Sequence, residues 1–124
     1  VDLGDLEIYA DPMVKKVFYN LIDNAVRHGE KVTEIRFSCA RSGQDLLILC
    51  EDDGIGIPDG EKEAIFREAY KRRHGHGLFL VAGILGITGM TIRETGVAGK
   101  GARFEVRVLN GGWRSERLEG RVAQ

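Results

Sequence analysis

The sequence has little of what would place it in several large classes of protein. Its 124 residues include two cysteines and two prolines, and no apolar run approaches the ~20 residues of a membrane-spanning helix. Lys and Arg number 18 and Asp and Glu 19, and this balance argues against a nucleic-acid binder that relies on bulk positive charge. The chain opens on Val1 rather than Met and shows no signal peptide, so we expect a cytoplasmic fragment of a longer protein.

The cysteines and histidines lack the spacing of a metal site. Cys39 and Cys50 lie in apolar stretches, and we favour two buried thiols over a disulfide between them. A zinc site that combined them with His74 and His76 would need ligands from two strands and a loop, without a CxxC or HExxH spacing. Glycine, by contrast, is abundant at 17 residues, and its clustering indicates backbone that turns sharply or approaches a ligand.

The apolar pattern predicts a single α+β domain. One helix is expected to begin at Asp11 and Pro12 and to end near residue 28. Two further helices are predicted at residues 61–70 and 78–85. Strands are predicted where apolar residues alternate or run together, at residues 6–10, 33–40, 45–51, 90–95 and 102–109.

This order of elements describes an α+β two-layer sandwich. We expect a mixed sheet of four or five strands, with about three helices on one face. The domain is expected to occupy residues 1–109. Residues 110–124 show no clear period, so they are expected to form a flexible tail.

Two asparagines on the first predicted helix are candidate metal ligands. Asn20 and Asn24 stand four residues apart and therefore emerge on one helix face, with Arg27 three residues further on. A solvated helix face is the ordinary interpretation of such a pattern. Asparagine is a poor helix former, however, and its amide oxygen suits a hard cation such as Mg²⁺.

Two glycine-rich loops are candidate ligand sites. Asp52 follows a long apolar strand, where its carboxylate can accept a hydrogen bond from an exocyclic amine, and Gly54 and Gly56 let backbone approach a flat ring. A plain turn explains the same residues equally well. The pair Gly75 and Gly77 precedes a helix, where free N–H groups can bind an anion, although a solvated basic run is the commoner case.

Five motifs in succession resemble the boxes of sensor histidine kinases. They are NLIDNA at residues 20–25 (N box), DDGIGIP at 52–58 (D-x-G-x-G box), IF at 65–66 (F box), GHGLFL at 75–80 (G-x-G-L-G-L box) and GKGARF at 99–104 (last glycine box). The resemblance spans about residues 6–109. It implies the Bergerat fold of a catalytic and ATP-binding domain, which holds ATP and Mg²⁺ between the N-box helix and a lid.

The resemblance also implies roles for individual residues. Asp52 would bind the adenine amino group, Asn24 and Asn20 would hold Mg²⁺ near the phosphates, and Arg27 would contact phosphate. His28 takes the place of an aromatic residue that packs on adenine. The other implied nucleotide contacts are Gly54, Gly56, Ile57, Lys71, Arg72, Gly75, Gly77 and Leu78.

Two features depart from the family pattern. Phe79 replaces the second glycine of the G-x-G-L-G-L box, and the short segment before Gly75 implies a small lid. None of the three histidines fits the phosphoacceptor motif, because His28, His74 and His76 each precede glycine rather than an acidic residue. The acceptor is therefore expected on a separate dimerisation hairpin.

The function implied is that of a histidine kinase catalytic domain. It would donate the γ-phosphoryl group of Mg-ATP to the hairpin histidine, with a response regulator downstream and no contact with nucleic acid or membrane. The alternatives are a Bergerat-fold ATPase, an anti-sigma serine kinase and a non-catalytic nucleotide-binding module. The ATPases and serine kinases resemble each other in carrying Glu at the position of Asn20, and an amide has no basicity to activate water or a hydroxyl.

Overall fold

The computed structural model describes residues 6–8, 14–28, 30–74, 78–109, 111 and 113–115. Three helices lie in these ranges: α1 (Val14–His28), α2 (Glu68–His74) and α3 (Phe79–Ile87). The strands are β1 (Leu6–Ile8), β2 (Ile35–Ser42), β3 (Asp45–Asp52), β4 (Thr91–Glu94), β5 (Arg103–Val108) and β6 (Trp113–Ser115). Two short 3₁₀ turns, Asp59–Glu61 and Ala64–Phe66, connect β3 to α2.

The main sheet has four strands in the order β2-β3-β5-β4, and β1 pairs separately with β6. Every described pairing is antiparallel, so the expectation of a mixed sheet is wrong for this part of the chain. Connectivity is the physical reason for two of these pairings. A two-residue turn joins β2 to β3 and an eight-residue loop joins β4 to β5, and neighbours linked this closely pair antiparallel because parallel strands need a long crossover. β5 follows β3 only after the helices and β4, so no short connection accounts for the sense of that pairing.

The core lies between the helices and one face of the sheet. Val17, Leu21 and Ala25 recur every four residues along α1 and are all buried. On the sheet, alternate residues of β3 and β5 are buried against them, including Leu46, Ile48, Cys50, Phe104, Val106 and Val108. The alternate positions of β5 are the polar Arg103, Glu105 and Arg107. This arrangement confirms the two-layer α+β sandwich.

Two segments differ from the sequence prediction. The helix expected at residues 61–70 is replaced by 3₁₀ turns and by α2, because Arg67 adopts an extended conformation before the helix-forming run of α2 begins. In the segment expected to be a flexible tail, Trp113–Ser115 form β6. Its pairing with β1 uses backbone hydrogen bonds, which a three-residue strand makes without any detectable side-chain period.

Cys39 and Cys50 are both free thiols, as expected, but only Cys50 is buried. Phe37 shares a face of β2 with Cys39 and packs against Phe18 of α1, with ring centroids 5.9 Å apart. Two residues further along, nothing in the described ranges covers Cys39, so its burial was wrongly expected. None of the described helices combines the length and the apolar character needed to cross a bilayer.

Candidate functional site

The asparagines of α1 lie at the margin of its buried face. Asn20 and Asn24 each precede a buried residue, Leu21 and Ala25 respectively, and both are half-buried. Within the described part of the chain, neither side-chain amide forms a hydrogen bond. Their oxygens are consequently available to a ligand, and their role as metal ligands stays a prediction. The beginning expected at Asp11 and Pro12 lies outside the described residues.

Arg27 is already paired in this structure. Its Nε donates to Asp23 Oδ1 at 3.0 Å, one helical turn earlier, and the two side chains are 69% and 58% exposed. An exposed pair of this kind contributes only about 0.3–0.5 kcal/mol, so a phosphate group can compete for the guanidinium. The pairing of Asp23 was missed in the sequence, although its i,i+4 spacing to Arg27 is a recognised signal.

One carboxylate oxygen of Asp52 accepts backbone hydrogen bonds, and the other has no donor among the described residues. Oδ1 accepts hydrogen bonds from the backbone N–H groups of Gly54 at 2.8 Å and Ala102 at 3.2 Å. The backbone N–H of Asp52 also donates to the Ala102 carbonyl at 3.0 Å. No described residue donates to Oδ2. The half-buried carboxylate is therefore fixed in direction and keeps one acceptor for a ligand.

The loop that carries Gly56 packs directly on the last glycine loop. Gly56 has φ +74°, and a Cβ there would lie 2.9 Å from the Gly101 carbonyl oxygen and 3.0 Å from that of Val97. Gly101 has φ +138°, and a Cβ there would clash with the carbonyl of Asp52. The N–H of Gly99 donates to the Ile55 carbonyl at 2.7 Å. The two glycine boxes thus form one structural unit around Asp52.

Asp53 anchors the same loop on its outer side. Its carboxylate accepts hydrogen bonds from the N–H groups of Thr33 at 2.7 Å and Glu34 at 3.1 Å, and from the Thr33 hydroxyl. These hydrogen bonds stabilise the ionised form and lower the pKa of Asp53 from 3.8 to about 2, the Thr33 hydroxyl contributing most. The adjacent acids therefore differ: both oxygens of Asp53 are used to fasten the loop, whereas Asp52 keeps one oxygen without a donor among the described residues.

The basic segment expected as a lid is partly helical. Lys71 and Arg72 lie on α2 and are exposed, and Arg72 is paired with Glu68 at 3.0 Å. Gly75 and Gly77 lie outside the described residues, as does the side chain of His28. Whether these groups contact a nucleotide stays a prediction.

Leu78 and Ile57 contribute to packing. The Leu78 side chain is buried, and its N–H donates to the Ile65 carbonyl at 2.9 Å, so this amide is occupied. Ile57 packs at the edge of the core. Phe79 is the first residue of α3 and is 44% exposed, which places the departure from the glycine pattern on the surface.

A sequence profile described as histidine kinase-, DNA gyrase B- and HSP90-like ATPase matches residues 10–111. The chain belongs to this family. Its two-layer fold is accordingly that of an ATP-binding domain of this family, which confirms the resemblance seen in the five motifs.

Curated relatives of this ATPase domain are sensor kinases. The chain is 34% identical over 96 residues to the alginate biosynthesis sensor protein KinB of Pseudomonas aeruginosa, covering 73% of this chain and 16% of KinB. It is 30% identical over 112 residues to the adaptive-response sensory kinase SasA of a Synechococcus strain, covering 84% of this chain and 29% of SasA. The chain thus spans less than a third of the length of either relative.

Solved structures agree with this family assignment. The ATP-binding domain of PrrB from Mycobacterium tuberculosis superposes with a TM-score of 0.72 at 29% identity, over 89% of this chain and 76% of that one. The catalytic domain of the histidine kinase ThkA, at 24% identity, shares the fold with a TM-score of 0.70, over 88% of this chain and 74% of that one.

Asn20 and Asn24 offer oxygen donors of a kind that Mg²⁺ binds. No group of three or more His, Cys, Asp or Glu side chains converges in the described ranges. The amide oxygens of Asn20 and Asn24 are hard, uncharged ligands that are not used elsewhere in those ranges. Mg²⁺ accepts such ligands while sharing its remaining positions with water and phosphate oxygens.

Proposed function

We propose that the chain binds Mg-ATP and donates the γ-phosphoryl group to a histidine on a separate dimerisation hairpin, as the catalytic domain of a sensor histidine kinase. The observation that carries this proposal is the hydrogen bonding of the Asp52 carboxylate. Two backbone N–H groups hold Oδ1, and Oδ2 has no donor among the described residues. A carboxylate held in this way suits the exocyclic amine of adenine, which a guanine base lacks at the corresponding position.

Mg²⁺ would be held through Asn20 and Asn24. When bound, it neutralises charge on the phosphate oxygens. The half-buried position of both amides supports this role, because packing beside Leu21 and Ala25 limits their freedom. The two asparagines would then position the phosphates beside α1.

The positive charges near the phosphates would come from exposed side chains. Arg27 would exchange Asp23 for a phosphate group, and Lys71 and Arg72 would approach from α2. Arginine presents a planar fork that binds phosphate oxygens in a bidentate manner. Because these side chains are exposed, we expect them to contribute mainly to the affinity for the triphosphate.

The nucleophile would come from outside the chain. Asn20 cannot act as a general base toward water, since an amide is not basic. The histidines of this chain each precede glycine, unlike a phosphoacceptor that is followed by an acidic residue. The catalytic contribution of the domain would therefore be positioning and electrostatic stabilisation of the phosphates.

One set of measurements tests the proposal. ATP and ADP are titrated calorimetrically with and without Mg²⁺, and the chain is then incubated with γ-labelled ATP alone and with the dimerisation hairpin of the full-length kinase. We expect Mg²⁺-dependent ATP binding, acid-labile label on the hairpin, and neither label on the chain nor more than trace phosphate release. Stoichiometric label on the isolated chain, or steady ATP hydrolysis, would contradict the proposal. Nucleotide binding without phosphotransfer would identify a non-catalytic module instead.

A further inference from the structure

A buried carboxylate that the proposed mechanism does not use lies at the end of β4. The side chain of Glu94 is fully shielded from solvent, although it belongs to the four-residue strand TIRE at the sheet edge. A buried charge is strongly unfavourable unless partners replace the lost hydration. The presence of Glu94 therefore calls for a set of partners that uses both of its oxygens.

Glu94 has such partners on three segments of the chain. Lys62 donates to Oε1, and the same ammonium donates to the Gly96 carbonyl at 2.9 Å. Oε2 accepts from the N–H groups of Gly96 at 3.1 Å and Arg103 at 2.9 Å. Glu94 and Lys62 together thus hold both ends of the glycine loop at residues 96–101, since Gly96 begins the loop and Arg103 lies just after it.

The same loop end also contacts Asp52. Ala102 donates its N–H to Asp52 Oδ1 at 3.2 Å, and the next N–H, that of Arg103, donates to Glu94 Oε2 at 2.9 Å. Consecutive amides of an extended strand point in opposite directions, so a single peptide step lies between two carboxylates. A shift at Glu94 is expected to move Ala102 and, with it, the Asp52 carboxylate.

We propose that Glu94 and Lys62 position Asp52 for adenine recognition by fixing the loop at residues 96–101. Glu94 is on this view a positioning residue, because it acts through Ala102 and never touches the nucleotide. The inference rests on the proposed nucleotide site. It adds that selectivity for the adenine amine depends on a buried ion pair on the opposite side of the glycine loop.

Glu94→Gln tests this inference. The introduced NH₂ group must face either the Lys62 ammonium or the N–H donors of Gly96 and Arg103, so the loop has to shift. The matched control is Glu105→Gln, which makes the same change in an ion pair between Glu105 of β5 and Arg93 of β4 (2.9 Å), without a bond to the glycine loop.

The readout is the affinity ratio between ADP and purine riboside diphosphate, which lacks the amine. If Glu94 had only a structural role, Glu94→Gln would weaken the binding of both ligands equally or lower only the unfolding midpoint. We expect Glu94→Gln to raise the Kd for ADP at least about tenfold, and to leave the Kd for the purine analogue within about twofold. Glu105→Gln should keep the wild-type ratio. In an Asp52→Asn background, Glu94→Gln should have little further effect.

Two further measurements cover the case in which Glu94→Gln does not fold. The Lys62 side chain is 18% exposed. Lys62→Gln should lower the affinity for ADP relative to that for the purine analogue, whereas Lys62→Arg should largely restore the wild-type ratio. In the nucleotide-free wild type, amide exchange at Gly96 and Arg103 should already be slow. An unchanged ratio in folded Glu94→Gln or Lys62→Gln, or exchange of these amides at the solvent rate, would overturn the inference. Failure of the wild type to bind ADP would instead contradict the proposed function itself.

Discussion

Replacing Asp52 by asparagine should separate nucleotide recognition from folding. In the structure, Oδ1 accepts from two backbone N–H groups, at 2.8 Å from Gly54 and 3.2 Å from Ala102. An asparagine keeps these hydrogen bonds only if its carbonyl takes the place of Oδ1. Its NH₂ group then occupies the position of Oδ2 and faces the adenine amine, so two donors oppose each other.

The size of the effect follows from that geometry. Loss of a charge-assisted hydrogen bond, with a donor left unpaired, costs roughly 2–3 kcal/mol of binding free energy. This corresponds to an ADP affinity about 30–150-fold weaker. The backbone hydrogen bonds survive with a neutral acceptor, so the free energy of unfolding should fall by only about 1 kcal/mol.

Calorimetric titration of ADP without Mg²⁺ measures the effect, and denaturant unfolding measures stability. Glu51→Gln is the matched control, because Glu51 is the preceding residue of β3 and points to the other face of the sheet. Wild-type protein should also bind GTP poorly. Near wild-type ADP affinity in Asp52→Asn would remove Asp52 from the site and refute the reasoning, whatever the stability of the variant.

Three other predictions concern the metal, acid stability and thiol reactivity. Asn24→Ala should abolish most of the Mg²⁺-dependent gain in ATP affinity and leave metal-free ADP binding nearly intact; equal loss of both would show that Asn24 supports the fold or the base. Asp53→Asn should lower the unfolding midpoint at neutral pH. The folded-state pKa of Asp53 is depressed, so its contribution to stability is present above pH 3.8 and is lost as the pH falls toward 2. The difference in unfolding midpoint between wild type and variant should therefore disappear near pH 2, and a difference that stays constant with pH would contradict the assignment. Native protein should expose one reactive thiol to a disulfide reagent, that of Cys39, because burial raises the pKa of Cys50 to about 12; rapid reaction of both would refute this.

Local patterns were sufficient to predict the fold class and the identity of the family. The apolar residues of α1 recur with the helical period, so the shared face of Asn20 and Asn24 was visible before any packing was known. The ordered glycine and asparagine motifs depend only on neighbouring residues. For the same reason the sense of the sheet and the pairing of Trp113–Ser115 with β1 escaped prediction, since strand partners are not encoded by local periodicity.

The sequence by itself supplied the candidate residues: a carboxylate after a buried strand, two amides on one helix face, and histidines that lack the acceptor pattern. Only the tertiary structure decided how Asp52 is aimed, because its partner Ala102 lies 50 residues away. It also decided that Glu94, which reads as an ordinary strand residue, is a buried anion. Its counter-ion Lys62 is 32 residues distant and becomes a neighbour only when the segment that follows β3 packs beside the end of β4.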